Sequence, residues 1–244
     1  MKRLLSVVLL MLPALAWAVG GSTHVTVRAL AHDAKLIPGA RVVIENAHTG
    51  DVLAMGATEG GTGDTDLIMR KPAEHGADVY DTEGAAAFTA DLTLEAPTRV
   101  RITASEPDSG ASVAKTLWLA PGENVEGNGI VLELYGLKVA LTVPAGNSVP
   151  GDGGIGVTAQ VHMLCGCPVS PGGLWDADGF TVTAQLLREE EVIESAALGY
   201  AGKTSTFSGT LPSPGPGDYL LRVVAAQPEK GNFGTAETPL AVTD

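Results

Sequence analysis

Apolar and polar residues alternate with a period of two along most of this chain, and this feature constrains its fold more than any other. The segment Thr98–Ser105, for example, has the sequence TRVRITAS. On an extended strand its Val100 and Ile102 face one side of the sheet. Arg99 and Arg101 then face the other side. A sheet with one buried and one solvated face requires this pattern, so the alternation predicts antiparallel strands.

Two series of such strands follow one another, separated by Gly, Pro, Asp or Asn. The first series comprises HVTVRALA, ARVVIENA, AAAFTADLTL, TRVRITAS, AKTLWLA and GIVLELYG. The second comprises LKVALTVP, GIGVTAQVHM, FTVTAQLL, VIESAAL, KTSTFSGTL, GDYLLRVVAA and TAETPLAV. The segment LLREEEVIESAALGY is the one rival for a helix. Its Val192 and Ile193 lie between charged residues and fit a hairpin after Glu190 at least as well.

These series predict an all-β protein with two antiparallel β-sandwich domains in tandem. The expected domains are residues 22–136 and 137–244, with the boundary near Gly136. A competing boundary lies within the loop PAGNSVPGDGG, residues 144–154. The abundance of Gly and Pro and the low aromatic content, 5%, are typical of short strands joined by many turns.

The N-terminal segment, residues 1–18, has the features of a secretory signal peptide. Two positive charges precede the apolar run Leu4–Ala16, which is shorter than the roughly 20 residues of a membrane-spanning helix. Alanines stand at both positions that a signal peptidase recognises. We therefore expect cleavage after Ala18 and a mature protein that is periplasmic or secreted. No later segment is apolar for long enough to predict a membrane span.

The charge of the chain restricts its partners. Its formal net charge is −13, and it becomes −15 when Lys2 and Arg3 leave with the signal peptide. No basic cluster remains that could follow a phosphate backbone, so nucleic acid is not an expected partner. The five histidines lack the spacing of a zinc protease, and neither a Gly-x-Ser-x-Gly turn nor a phosphate-binding glycine loop occurs. We therefore predict a protein that is not an enzyme.

The first domain contains two motifs, IPGARVVIENAHTGDVLAMGAT (Ile37–Thr58) and DTEGAAAF (Asp81–Phe88). In these motifs a Pro-Gly-Ala turn opens a strand and a Thr-x-x-Gly turn precedes an aromatic strand. The domain thereby resembles the carboxypeptidase-regulatory or transthyretin-like β-sandwich family, and this resemblance implies a transthyretin-like sandwich. The insertion Glu59–Tyr80 departs from the family pattern.

The second domain resembles bacterial immunoglobulin-like modules in GDYLLRVVAA (Gly217–Ala226) and GNFGTAETPLAV (Gly231–Val242). The resemblance implies that Tyr219 forms a tyrosine corner, in which the hydroxyl bonds back to the backbone. In disulfide-bonded immunoglobulin domains the second cysteine lies two residues after this tyrosine. Leu221 occupies that position here, so the cross-sheet disulfide of the family cannot form.

The only two cysteines, Cys165 and Cys167, lie one glycine apart in the loop His162–Gly179, here named the cysteine loop. If the strand before the loop ends at Met163, its alternation places Met163 and both cysteines on one face. His162 then lies on the opposite face. In an extended chain the two cysteine Cα atoms are about 6.5 to 7 Å apart, at or beyond the limit for a disulfide.

Three hypotheses explain the pair in an exported protein. The first is a local Cys165–Cys167 disulfide, which requires a bend at Gly166. The second is a soft-metal site in which both thiolates and the Met163 thioether bind copper(I) or a similar ion, with His162 as a further ligand. The third is a redox-active dithiol or an intermolecular bridge, for which the chain shows no thioredoxin-like βαβ pattern.

The cysteine loop also contains Asp176-Ala177-Asp178-Gly179, which has the spacing that opens a calcium-binding loop. Asp176 and Asp178 are therefore weak candidate calcium ligands. The third acidic position and the downstream Glu of a full motif are missing, which favours a tight turn. Trp175 beside them is expected to cap the sandwich core.

These observations lead to two main functional hypotheses. The first is an exported, non-enzymatic binding or accessory protein that holds a soft metal ion, copper in particular, at the Cys-Gly-Cys loop. The alternative is a structural or adhesive surface module with the cysteines as a local disulfide and a protein or glycan contact on its sheets. An accessory domain for a secreted enzyme on another chain is a third. The expected partner is thus a metal ion or another exported protein.

Overall fold

A computed structural model describes residues 21–144, 146–151 and 153–243 of the chain. The predicted signal peptide lies outside these residues. The predicted all-β class is confirmed. The elements in order are β1 (Gly21–Ala31), β2 (Arg41–Asn46), β3 (Val52–Ala57), a π-helical turn (Asp66–Arg70), β4 (Phe88–Leu94), β5 (Thr98–Ser105), β6 (Ser112–Leu119), β7 (Asn124–Leu134), β8 (Leu137–Val143), β9 (Ser148–Pro150), β10 (Ile155–Met163), a 3₁₀ turn (Ala177–Gly179), β11 (Thr181–Arg188), β12 (Glu191–Ala197), β13 (Gly199–Tyr200), β14 (Thr206–Leu211), β15 (Gly217–Gln227) and β16 (Asn232–Thr243).

The first seven strands form the first sandwich. Sheet I has the order β4-β1-β7 and sheet II the order β3-β2-β5-β6. Val27 of sheet I and Ile44 and Ile102 of sheet II are fully buried in the core between them. Neighbouring strands are antiparallel except β1 and β7, which pair in parallel. The predicted antiparallel arrangement therefore holds for the other pairings of this sandwich. The parallel pairing was not predicted, because the direction of pairing between distant strands leaves no local pattern.

The remaining strands form the second sandwich. Sheet III has the order β13-β14-β10-β8 and sheet IV the order β12-β11-β15-β16-β9. Again one pairing, β16 with β9, is parallel. A hairpin joins β11 to β12 through Glu189 and Glu190, whose φ angles are 50° and 70°. Positive φ at both turn residues matches the twist of adjacent strands, so the segment forms a hairpin and not a helix.

Tyr219 forms the predicted tyrosine corner in the second sandwich. Its side chain is buried, and its hydroxyl donates to the Gly215 carbonyl oxygen at 3.1 Å. Arg188 donates to the same hydroxyl, and its guanidinium carbon lies 4.6 Å from the centre of the tyrosine ring. Leu221, at the position of the missing cysteine, is fully buried. Apolar packing therefore replaces the cross-sheet disulfide.

Strand β1 is buried on both faces, contrary to the one-sided pattern of its sequence. Residues 59–87, here named the covering segment, lie over the outer face of sheet I. Leu30 and Leu36 pack there in a separate apolar cluster with Ala86. Arg28 is 3% exposed and donates to Asp81 at 2.6 Å, to the Ala85 and Ala86 carbonyls and to the Gly127 carbonyl. The Arg28 side chain thus connects the covering segment to sheet I.

The two sandwiches share one core. The strands divide into the two pairs of sheets between Leu134 and Leu137, next to the predicted boundary at Gly136. One cluster of buried apolar residues nevertheless runs continuously through both sandwiches, and it includes Leu134, Leu137 and Leu164. Such continuity couples the unfolding of the two halves.

Candidate functional site at the interdomain joint

The cysteines occupy a tight turn at the end of β10. The Met163 N–H donates to the Cys167 carbonyl at 3.1 Å, and the Gly166 N–H donates to the Met163 carbonyl at 2.8 Å. Gly166 has a φ of 78°, a conformation that only glycine adopts without strain. This bend brings the two cysteine Cα atoms to 5.3 Å, and the sulfurs are joined in a disulfide. The structure therefore contains the local disulfide of the first hypothesis, with the bend at the expected residue.

The disulfide lies beside a shallow cavity between the two sandwiches. The cavity has a volume of about 350 Å³. Its walls are Cys165, Gly166, Cys167, Pro168 and Trp175 from the cysteine loop and Lys35, Thr62 and Thr65 from the first sandwich. Each cysteine is 8% exposed. The Lys35 ammonium donates to the Thr65 hydroxyl at 2.7 Å, which fixes the only charged group of this wall.

Trp175 connects the cysteine loop to the first sandwich. Its indole is 7% exposed, and Nε1 donates to the Asp33 carbonyl oxygen at 2.8 Å. A buried indole N–H requires such an acceptor. The prediction that Trp175 caps a core is confirmed, with the addition that the acceptor belongs to the other sandwich.

Asp33 is the centre of the polar network in this joint. It lies in the loop between β1 and β2 with a φ of 55°. Its carboxylate accepts from the amide of Gln227, the last residue of β15, at 3.3 Å and from the ammonium of Lys230, in the turn between β15 and β16, at 3.0 Å. Asn232, 1% exposed, donates to the His32 and Gln227 oxygens and accepts from the Gly136 N–H. The buried polar groups of the joint are thereby paired across the two sandwiches.

A second polar contact lies at another part of the joint. The Lys138 ammonium on β8 is 2.8 Å from the Glu106 carboxylate and 3.4 Å from that of Asp108, both in the turn between β5 and β6. Burial raises the pKa of Glu106, but hydrogen bonds from Lys138 and Ser109 outweigh it and hold the pKa below its ordinary value. The pair therefore remains ionised and links the sandwiches electrostatically.

The structure does not bring the four predicted soft-metal ligands together. Met163 is fully buried in the shared core. His162 points away from the cysteines, as the alternation predicted, into a different cavity beside Lys138 and Asp108. Burial, and then the nearby Lys138 charge, lower the pKa of His162. Of the four, only Cys165 and Cys167 line the same cavity.

The candidate calcium ligands form a turn. The Asp176 carboxylate accepts from the Gly172 and Asp178 backbone N–H groups, each at 3.2 Å, and so caps the 3₁₀ turn. These bonds account for the aspartate at this position as turn chemistry. Calcium binding by Asp176 and Asp178 stays a prediction. Within the described ranges no group of three or more His, Cys, Asp or Glu side chains is arranged to hold a metal ion.

The network around Asp33 was missed by the sequence analysis. The local sequence AHDAK carries no recognised motif, and Gln227 and Asn232 are the strand residues on either side of an ordinary hairpin turn. The one signal in the sequence was that an amide side chain stands on each side of this turn, next to a strand in which apolar and polar residues alternate. The burial of an amide at a contact between domains depends on long-range packing, which a local pattern does not encode.

Comparisons with known proteins give no family. No protein-family model matches the chain, and no curated protein matches its sequence. No helix of the described part of the chain is both long and apolar enough to cross a membrane.

Several solved structures resemble the chain over most of its length. The CbhA fibronectin(III)-like modules of Clostridium thermocellum are 12% identical, with 93% of this chain and 92% of that chain covered and a TM-score of 0.29. The titin domains z1z2 in complex with telethonin are 15% identical, with 92% and 89% covered and a TM-score of 0.25. The tip fimbrial protein Mfa3 from Porphyromonas gingivalis is 8% identical, with 91% and 83% covered and a TM-score of 0.29. Scores this low carry no argument, so the two resemblances to named families stay predictions.

Proposed function

We propose that this chain is an exported, non-enzymatic structural or adhesive module that presents fixed contact surfaces on two joined sandwiches. In this proposal Cys165 and Cys167 form a permanent local disulfide that shapes the cysteine loop. The observation that carries the proposal is the place of that loop: through Trp175 it packs against the first sandwich and helps to build the joint.

The chemical state of the sulfurs supports this function over metal handling. Soft metals are bound by thiolates, and a sulfur in a disulfide is not a thiolate. Oxidation of adjacent cysteines is also the expected state in a periplasmic or extracellular environment. Export and a lasting disulfide are therefore mutually consistent parts of the proposal.

The polar groups of the joint support a mechanical role. Asp33, Asn232 and Glu106 all have partners on the opposite sandwich. Paired polar groups fix the geometry of an interface. A fixed angle between two sandwiches is useful to a module that presents surfaces to a partner.

Holding a soft metal ion remains a second candidate function, favoured by one observation. Both cysteines line a cavity that is open to solvent, so reduction of the disulfide would place two adjacent thiols at its wall. This function needs reduced cysteines and gains nothing from the buried Met163.

The two functions are separated by the state of the native protein. The mature chain is purified without reductant, its thiols are titrated in denaturant before and after reduction, and its bound metal is measured. The structural proposal predicts no thiols before reduction, two after it, and no copper or zinc. One equivalent of either metal, lost in a Cys165→Ser/Cys167→Ser variant, would overturn it in favour of the metal site.

A further inference from the structure

The two outer faces of the first sandwich differ. The outer face of sheet I lies beneath the covering segment, but no segment of the described part of the chain covers sheet II in the same way. Trp118 on β6 and Met55 on β3, 61% and 57% exposed, are the two most exposed large apolar side chains in the described residues. They lie on the two opposite edge strands of sheet II, so each has its own set of neighbours on that face.

The strand register places basic side chains next to Trp118. Arg99 on β5 lies directly opposite Trp118 on β6. Arg101, two residues along, lies opposite Thr116 on β6 and Glu45 on β2. Residues two apart on a strand face the same side about 6.5 to 7 Å apart, so both arginines stand in a row beside the indole.

The charge of this face opposes that of the whole chain. The formal net charge is −13, yet Arg41, Arg99 and Arg101 are all exposed on the outer side of sheet II. None of the three forms an ion pair in residues 21–144, 146–151 and 153–243. Glu45, opposite Arg101, is the carboxylate nearest to them in the register. One negative charge beside three arginines leaves this row of side chains with a net positive charge. The face is therefore complementary to an anionic partner.

We propose that the outer face of sheet II binds a carboxylate-bearing polysaccharide, a polyuronate. Trp118 provides an exposed indole on which the apolar face of a sugar ring can pack. Arg99 and Arg101 donate paired N–H groups to the carboxylates of successive or alternate sugars. The hydroxyl of Thr116, in the same row as Arg101, is available to the sugar hydroxyls.

The chemistry of the face favours a polysaccharide over an acidic peptide. Trp118 lies on the edge strand β6, and Arg99 and Arg101 lie on the adjacent strand β5. A peptide that added a strand at the edge of β6 would pair with its backbone and would not use the indole face. A chain of sugar rings instead lies across the outward side chains, where it can use both the indole and the guanidinium groups.

This inference rests on the proposed adhesive function and names its partner and surface. The mature chain is tested for binding to immobilised polygalacturonate, with neutral dextran and poly-glutamate as competing probes. We expect binding to polygalacturonate that weakens as salt is raised, no binding to dextran, and at least tenfold weaker binding in Trp118→Ala and in Arg99→Gln/Arg101→Gln. The matched controls are Phe233→Ala, an exposed aromatic of the second sandwich, and Arg222→Gln, and both should bind as the parent chain does.

Several results would overturn the inference. They are no binding to polygalacturonate, equal binding to dextran or to poly-glutamate, or equal loss in the control variants. Melting temperatures of all variants identify any that are misfolded, and Trp118→Phe, which retains an aromatic ring, should keep part of the affinity. The thiol and metal measurements remain independent, so a failure of this inference is distinguishable from a failure of the proposed function.

Discussion

Strands β1 and β15 are each 11 residues long and occupy interior positions in their sheets, yet their burial differs. In β15 each buried residue is followed by a partly exposed one from Tyr219 to Gln227. In β1 every residue from Val25 to Ala31 is buried. The covering segment causes the difference, because it lies on the outer face of sheet I and nothing comparable covers sheet IV in the described ranges.

The comparison shows what alternation in a sequence means. A polar residue at an outward position predicts a solvated face only if no other part of the chain covers that face. Arg28 and Arg222 illustrate this point, since both are outward-facing arginines. Arg222 pairs with Glu237 at the surface, whereas Arg28 is buried with Asp81 and three backbone carbonyls.

Substitution of the two arginines tests the comparison most strongly. We expect Arg28→Met to reduce the free energy of unfolding by about 3 kcal/mol, because it leaves buried carbonyls without a donor and Asp81 without its partner. Arg222→Met should change it by less than about 1 kcal/mol, as is usual for a surface ion pair. Urea denaturation of both variants gives the two values. Equal values would show that the covering segment does not bury Arg28.

An apolar pair tests the same difference without charge. Leu30 lies on the outer face of β1. We expect Leu30→Ala to reduce the free energy of unfolding by about 2 kcal/mol, because the substitution leaves a cavity beneath the covering segment. Val224→Ala, at an outward position of β15, should reduce the free energy of unfolding by about 1 kcal/mol or less. Thermal or urea denaturation provides the measurement. A larger effect at Val224 than at Leu30 would reverse the comparison.

The tyrosine corner provides a smaller test in the second sandwich. Tyr219→Phe removes the hydroxyl that donates to the Gly215 carbonyl and accepts from Arg188, while the ring remains packed. We expect a loss of about 1 to 2 kcal/mol in the free energy of unfolding, because each hydrogen bond contributes about 1 kcal/mol. Tyr200→Phe is the control. It also removes a hydroxyl from a ring that packs in the same sandwich, in this case against Phe207, but it leaves the tyrosine corner intact. Equal losses in the two variants would remove the special role of the corner hydroxyl.

The smallest expected effect is the dependence of stability on pH at the joint. The folded pKa of Glu106 lies below its ordinary value of 4.5, so the unfolded chain takes up a proton first as the pH falls. The stability due to Glu106 is therefore fully present above pH 4.5 and is lost as the pH falls through the folded pKa. Glu106→Gln should flatten this part of the stability curve, measured by urea denaturation at a series of pH values. An unchanged slope would show that Lys138 does not hold the carboxylate ionised.

His162 contributes to the same curve at higher pH. Its folded pKa lies below the ordinary 6.5, so the unfolded chain binds the proton first and stability falls as the pH drops below about 7. His162→Gln should remove that fall, and His48→Gln, in an exposed turn, is the matched control. A variant curve that still falls between pH 7 and pH 5 would contradict the assignment to His162.

Much of the fold was predictable because local patterns determine it. The alternation of Thr98–Ser105 predicted the bounds of β5, and Val192 and Ile193 between charged residues fitted a hairpin after Glu190 at least as well as a helix. The burial of Arg28 was not predictable, because it depends on residues that are 53 to 58 positions away in the sequence.

The candidate site was predicted only in part, because some of its contacts are local in the sequence and others join distant segments. Cys165, Gly166 and Cys167 are adjacent, so their shared face and the need for a bend followed from strand geometry. The acceptor for Trp175 is Asp33, 142 residues away, and no local pattern relates the two. The joint between the sandwiches is therefore the part of the molecule that only the structure reveals.

The central claim is that the two sandwiches unfold as one unit because they share a core and a paired polar joint. Differential scanning calorimetry of the mature chain without reductant tests it most directly. We predict a single transition whose calorimetric enthalpy equals its van't Hoff enthalpy. We also predict that Asn232→Ala, which removes a buried link between the halves, lowers the transition temperature or splits the transition. Two separate transitions in the parent chain, unaffected by Asn232→Ala, would contradict the claim.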